Sequence, residues 1–535
     1  MNAVIYNPLE EFEQKYRDRH CANTQQFFDE LVEKSGVNID ENRKTVEQYN
    51  IYKENLAKLK RKYNWLRFFR VLMIITLLLI PIVIWKMTPK IRQLREEIAT
   101  ADKKTEELQA LAYQQMLPLN SLFTSRDCLT ITENTISLIS FDPMFTIEKE
   151  TDMKTNYDFF EMDKTDYSTL GVLSGRYNEN PFLFENAVVH RLGEETYTGS
   201  LTIHWQETYF EDGKVKRRTR TQTLHASVTK PKPYYSTQVV LNYGAQAGPE
   251  LSFYRDPGHW ERKSEREVER SVKRGEKHLK KKTDKAIENN ESFMSMSNTE
   301  FEVLFDALDR TNEVQFRSLF TPLAQTNLVD LLTSRTGYGD DYHFIKNKRM
   351  NRIISEHSQG RDLMLQPAAY KSYAFDIIRQ NFLEKNFEYF RAVYFDFAPL
   401  LSIPAYQERP VHSLKPIPEL SQLYSQKESE VLANAVDSRY VVHPSTKTPA
   451  ILKTEHIHSE AQKDKTCITA YSYDIIPRVD YIPVFGGDGN MHNVPVPWDE
   501  YIPLEAAANF YITRYDQAKA DGVLAERNGL CIMQA

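Results

Sequence analysis

Residues 67–86 read RFFRVLMIITLLLIPIVIWK, and no other window of the 535-residue chain comes near this length of apolar sequence. Between Arg70 and Lys86 stand fifteen uncharged residues, eleven of them Leu, Ile or Val. At helical rise they cover about 22 Å against a hydrocarbon core of about 30 Å, so a crossing also needs the flanks from Leu66 to Met87. Those flanks suit the task. Arg67, Arg70 and Lys86 carry long stems that let a charge reach the headgroups, and Trp65 and Trp85 are amphipathic rings of the kind that settle at the two interfaces. The aliphatic residues contribute about 0.3–0.6 kcal/mol each at a helix centre, more than one Thr and one Pro oppose. A cleaved leader does not fit, because a long charged region precedes the segment and no small-residue cleavage site follows it. The expectation is one transmembrane helix over 65–87, crossed once.

The rest of the chain is ordinary for water-soluble protein, with 27% charged and 41% hydrophobic residues and length enough for several cores. A net charge of −6 singles out no partner. Of four cysteines, Cys128, Cys467 and Cys531 lie beyond the apolar run and Cys21 before it; an odd count without paired spacing is no disulfide framework. Seven basic residues from Lys53 to Arg70 face six from Lys86 to Lys104, which decides no orientation. Exporting the charged amino-terminal tail without a signal is the harder event, which leans the amino end toward the cytoplasm, whereas the three unpaired cysteines beyond the run fit a reduced compartment there, so the side of the large carboxyl-terminal region stays open.

Around this segment the periodicities predict an α+β chain. Residues 1–64 form a helical hairpin, broken at Ser35-Gly36, whose second stripe (Val46, Tyr49, Leu56, Leu59, Tyr63, Leu66) runs into the membrane. Residues 88–117 form a helical stalk in which Ile91, Leu94, Ile98, Ala101, Thr105, Leu108 and Ala112 fall on heptad a/d positions, a coiled-coil seam through which 91–112 could make a homo-oligomer. From 118 to 250 the period becomes two. Leu201, Ile203 and Trp205 alternate with polar residues, Asp212-Gly213 supplies a turn, and STQVVLNY reads as a separate third strand of a β-rich domain. Residues 251–297 are a charged helical linker between modules, broken at Gly275. The remainder, 298–535, is an α+β domain: a helix through EFEVLFDAL, another capped by Thr321 with Pro322 in its first turn, a hairpin around Asn347-Lys348, a long helix from Tyr373, short strands between Tyr440 and Tyr501, and a terminal helix from Leu504.

Three clusters could carry chemistry. In EHIHSE, His456, His458 and Glu460 share one face if the segment is extended, a spacing at which two imidazoles and a carboxylate could hold a divalent metal. Lys216, Arg217, Arg218 and Arg220 lie beside a hairpin turn and could meet anionic lipid headgroups; the alternative is that they guard a strand edge against pairing. No aromatic residues suited to base stacking are interleaved with them, which argues against nucleic acid. FGGDGNMHN, at 485–493, lacks the phosphate-loop order and reads as a tight turn. No HExxH, GxSxG, paired CxxC or kinase set occurs, and no cofactor is indicated.

The segment NTEFEVLFDALDRTNEVQFRSLFTPLAQTNLVDLL, at 298–332, resembles a recurring pattern of an uncharacterised bacterial membrane-anchored protein family, chiefly through Phe301, Phe305, Asp309, Thr321 and Pro322. The order membrane segment, strands, then this block is similar too. Members carry two closely spaced spans where this chain has one apolar run, so their topology does not transfer. The resemblance implies a bacterial envelope protein and brings no catalytic residues. The sequence thus points to a single-pass membrane protein that binds or scaffolds other proteins beside the bilayer. The alternatives are a tethered hydrolase or metal-dependent enzyme using His456, His458 and Glu460, and an anionic-lipid surface binder.

Overall fold

The computed structural model describes residues 7–75, 87–160, 166–211, 213–289, 295–410, 424–460, 463–514 and 523–534, with backbone alone at 71–75, 211, 460 and 514. Among them the chain divides into two units, each built from separate stretches: 7–139 with 364–397, and 140–363 with 398–535. The class is α+β, with helices and two antiparallel sheets.

The first unit is helical. Asn7 accepts from the Leu9 amide at 3.0 Å and caps α1 (Pro8–Glu11). A π turn over Phe12–Tyr16 leads into α2 (Arg17–Ser35), which stops at Gly36, whose φ of 62° is the left-handed conformation glycine tolerates. Then come α3 (Ile39–Ile75), α4 (Thr88–Leu122) and α5 (Asp127–Thr135); the later chain adds α11 (Phe375–Leu401), whose residues to Phe397 belong here. Phe28, Met116, Leu119, Phe123, Ile131, Tyr370, Phe375, Ile378 and Phe382 form its core. Beside them Phe12 lies 4.9 Å from Phe395, and His20 stacks on Phe390 at 4.0 Å.

The predicted stalk is the first correction. Instead of leading away, α4 returns along α3: the Gln115 amide donates to Thr45 Oγ1 at 3.1 Å, Asn42 Nδ2 donates to the Ala112 carbonyl at 3.2 Å, and Lys60 pairs with Asp102 at 3.0 Å. Numbers rise along α3 as they fall along α4, so the helices are antiparallel. The seam at Ile91, Leu94, Thr105, Leu108 and Ala112 is buried within this chain, and the apolar period that reads as a coiled coil is used in an intramolecular pair. The centre of the predicted transmembrane helix, residues 76–86 with Trp85 and Lys86, lies outside the described residues. Among those described, no helix is long and apolar enough to cross a membrane.

The second unit holds the sheets. The larger runs β1-β2-β3-β4-β7-β6-β5, from β1 (Ile139–Phe141), β2 (Tyr167–Tyr177), β3 (Asn180–Glu211), β4 (Lys214–Gly244), β5 (Ser252–Arg255), β6 (Tyr342–Asn347) and β7 (Met350–Ser355). The smaller runs β11-β12-β10-β9-β8, from β8 (Ile451–Glu460), β9 (Lys463–Phe485), β10 (Met491–Arg514), β11 (Val523–Arg527) and β12 (Leu530–Gln534). Five helices accompany the larger sheet, α6 (Ile147–Asn156), α7 (Glu265–Glu288), α8 (Thr299–Phe305), α9 (Glu313–Leu319) and α10 (Pro322–Thr333), and α12 (Gln426–Ala435) follows later in the chain.

Four expectations change here. STQVVLNY is not a separate strand but the end of β4, in continuous register with β3 from Glu211↔Lys214 to Phe182↔Tyr243. Pro231 and Pro233 do not break it: among the described residues β7 pairs with β4 only at 241–244, which leaves the second edge of β4 beside the prolines without a ladder to interrupt. The division at 251–297 does not separate two domains, since Leu241 pairs with Ile353 inside one sheet. Helix α7 continues through Gly275, where a Cβ would stand 2.5 Å from Val303 of α8; glycine there admits close helix packing. Finally, the helix expected from Leu504 is strand: Leu504–Thr513 pairs with β9 and buries Phe510 and Ile512.

Candidate functional site

Helix α12, QKESEVLANA, carries four consecutive polar residues that are almost wholly buried, with Lys427 at 3%, Glu428 at 2%, Ser429 at 4% and Glu430 at 3% exposure. It is capped by Ser425, whose hydroxyl accepts from the Glu428 amide at 3.2 Å. On one side Tyr424, Leu432, Ala433 and Val436 pack on the smaller sheet; Val431 joins the core of the larger one. The charges survive burial because each finds a partner. Lys427 donates to Glu185 at 2.6 Å, and Thr169 Oγ1 donates to the same carboxylate at 2.9 Å. Glu430 accepts from the Thr169 amide at 3.2 Å and from Lys453 at 3.1 Å, while Glu428 accepts from the Phe145 amide and from Arg527, both at 3.1 Å. One helix therefore joins β2, β3, β8 and β11, strands of both sheets.

The two lysine–glutamate pairs are unequal. Burial pushes the Glu185 carboxyl up, but the Lys427 ammonium and the bonds from Lys427 and Thr169 outweigh it and leave the group below its ordinary range. Burial likewise works against the Lys427 ammonium, and Glu185 with the Tyr167 ring overcomes it. For the second pair burial wins: Glu430 is raised and Lys453 lowered despite their contact. A cavity of about 160 Å³ lined by Phe160, Tyr167, Glu185, Arg352, Ile354 and Lys427 lies by the first pair, and one of about 410 Å³ lined by Gln426, Ser429, Lys453, His456 and Thr466 by the second. Both pairs clamp α12 to the strands beside it. Nothing in the sequence of α12 separates these buried charges from a solvated helix face, because their partners stand far away in the chain.

Of the anticipated metal ligands, His456 and His458 are not brought onto one face. His456 pairs with Thr466 and His458 with Lys465, a bulge at Ile457 intervening. Directly paired residues share a face, and Thr466 and Lys465 are neighbours on one strand, so the two imidazoles point to opposite faces. His456 meets Ser459 Oγ at 3.3 Å. Among the described residues no group of three His, Cys, Asp or Glu could hold a metal; the Glu460 side chain is outside them.

The basic cluster sits where the sequence places it, near the end of the β3–β4 ribbon. Arg218 and Arg220 both donate to Glu207, at 2.6 and 2.8 Å, and Arg218 covers the Tyr209 ring at 5.2 Å. Lys216, Arg218 and Arg220 share one face and Arg217 takes the other. Beyond them, directly opposite one another at the tip, stand Phe210, 77% exposed, and Val215, 58% exposed. The β9–β10 ribbon ends similarly in Phe485 opposite Met491, closed by the 486–490 turn in which Asp488 accepts from the Asn490 amide at 3.1 Å. The ribbons pack along each other, from His190 against Tyr473 through the Lys230–Asp480 pair to Gln222 against Gly487. Ile203, Leu224 and Val494 form a small core between them with Leu201, Trp205 and Val484, the face marked by the alternation at 201–205, and a Cβ on Gly199 would run into the Pro495 carbonyl. Of the expected membrane anchors, Trp65 is exposed on α3 and lies 4.3 Å from Phe69; Phe68 beside it is exposed too.

The chain matches no protein-family model, and comparison with curated proteins and with solved structures gives no significant match.

Proposed function

We propose that this is a membrane-held binding protein without chemistry of its own, and that its docking surface is the end of the β3–β4 ribbon, which seats on an anionic lipid surface. The supporting observation is the tip itself. Two large apolar side chains stand exposed and opposed at Phe210 and Val215, and between Glu207 and Arg220 five basic residues outnumber three acidic ones. An apolar pair that enters the acyl boundary and a basic collar that holds headgroups are complementary contributions to binding, the second screened by salt. Edge protection explains the charges but not why the apolar pair is left uncovered. The buried pairs around α12 favour the non-enzymatic reading, since their charges are spent on one another. The rival, a metal-dependent or hydrolytic enzyme using His456, His458 and Glu460, loses the shared strand face on which it rests.

The test holds the full chain in neutral-lipid nanodiscs and offers separate liposomes. Flotation with phosphatidylserine liposomes and not with phosphatidylcholine ones, lost at high salt and in Phe210→Ser/Val215→Ser, is expected. No flotation, or flotation indifferent to lipid charge and salt, overturns the proposal.

A further inference from the structure

The apolar run at 71–85 was read as a single crossing, which places α3 and α4 on opposite sides of the bilayer. The packing of those two helices does not allow it. A crossing separates its flanks by the thickness of the hydrocarbon core, about 30 Å, whereas Lys60 and Asp102 touch at 3.0 Å and Thr45 and Gln115 at 3.1 Å. We propose that α3 and α4 stand side by side in one compartment, so that the described residues before and after the apolar run lie on the same face of the bilayer. This rests on the reading that the apolar run lies in lipid, and adds where its flanks lie.

Three observations carry it. Followed along both helices from the Lys60–Asp102 pair, the antiparallel register brings Ile75 level with Met87, the last and first described residues around the run. Toward that end Leu94 and Ile91 are only 4% and 8% exposed, where a free stalk would show both to water. On the outside of the pair, Trp65 and Phe68 are exposed at 60% and 64% just before the run, where rings suited to an interface would meet it. The same geometry accounts for the basic residues that decide no orientation: the sets from Lys53 to Arg70 and from Lys86 to Lys104 flank one interface rather than opposing each other across two.

The experiment uses the full chain in intact cells with Cys21 and Cys467 replaced by Ser, the buried Cys128 and Cys531 retained, and a single reporter on either arm, Lys58→Cys or Glu96→Cys, both at exposed positions. A membrane-impermeant maleimide should label both reporters before permeabilisation or both only after it. In parallel, Lys60→Cys/Asp102→Cys in the membrane fraction should cross-link on oxidation within one chain. Labelling of one reporter from outside and the other only after permeabilisation, in chain that alkaline carbonate fails to extract, overturns the same-side arrangement while keeping the membrane reading. Release of the whole chain by carbonate overturns the membrane reading, and this inference with it.

Discussion

His20 is 1% exposed, stacked on Phe390 and hydrogen-bonded at both nitrogens, to Thr135 Oγ1 and to the Asn386 carbonyl, each at 3.2 Å. Burial lowers its pKa from 6.5 to about 3. Between those values the unfolded chain binds a proton that the folded one refuses, so the helical unit loses stability as pH falls from about 6.5 toward 3, by up to about 1.4 kcal/mol per pH unit. Denaturation midpoints of the helical unit at pH 7 and 4.5 should differ in wild type, and less in His20→Phe. A second residue-scale expectation concerns Lys427. Its replacement by Met strands the Glu185 carboxylate in a dry interior and should cost about 3–5 kcal/mol in urea denaturation, most of it recovered in Lys427→Met/Glu185→Leu. Neither residue announces itself in the sequence. A histidine between Arg19 and Cys21 and a lysine beside Glu428 read as surface, because the groups that bury them come from hundreds of positions away.

At the scale of elements, what is local in cause was legible and what depends on a partner was not. The turns at Gly213, Asn347-Lys348 and 486–490 stand where short-range rules put them, with φ of 73° at Gly213 and 54° at Lys348. So does the cap of α10, where Thr321 Oγ1 accepts from the Ala324 amide at 3.4 Å. The alternation at 201–205 gave the correct face, though not what covers it. Strand length failed because prolines and an alanine run argue against strand until a neighbour supplies the ladder, as β9 does for 504–513. The stalk failed for the complementary reason: a heptad stripe says that a helix wants a partner, not that the partner is its own chain. For the ribbon, a two-stranded hairpin is marginal without a covering face. Amides at 206–211 and 214–219, beyond the stretch that the second ribbon covers, should exchange faster than those at 182–186. Gly199→Ala, whose Cβ meets a backbone carbonyl that cannot swing aside, should cost about 1–3 kcal/mol and extend the fast-exchanging stretch toward Gly199.

For the molecule as a whole, the decisive fact is that neither unit is continuous in sequence. The helical unit needs Phe375, Ile378 and Phe382, made long after α2–α5, and the sheets intervene. A chain truncated after Leu363 should therefore leave 7–139 unable to close its core, seen as rapid proteolysis of that region against a resistant full-length control. Sequence reading placed the class correctly as α+β, while linear boundaries could not express units assembled from interrupted stretches. The two ribbons, packed along each other, keep a partner's contact cheap. A lone two-stranded arm sways, and any ligand at its end must first immobilise it, which weakens association. Gripped at Gly199 and Trp205 by the second ribbon, the first keeps only a short overhang, so its end is offered already oriented, and little affinity is lost to stilling it.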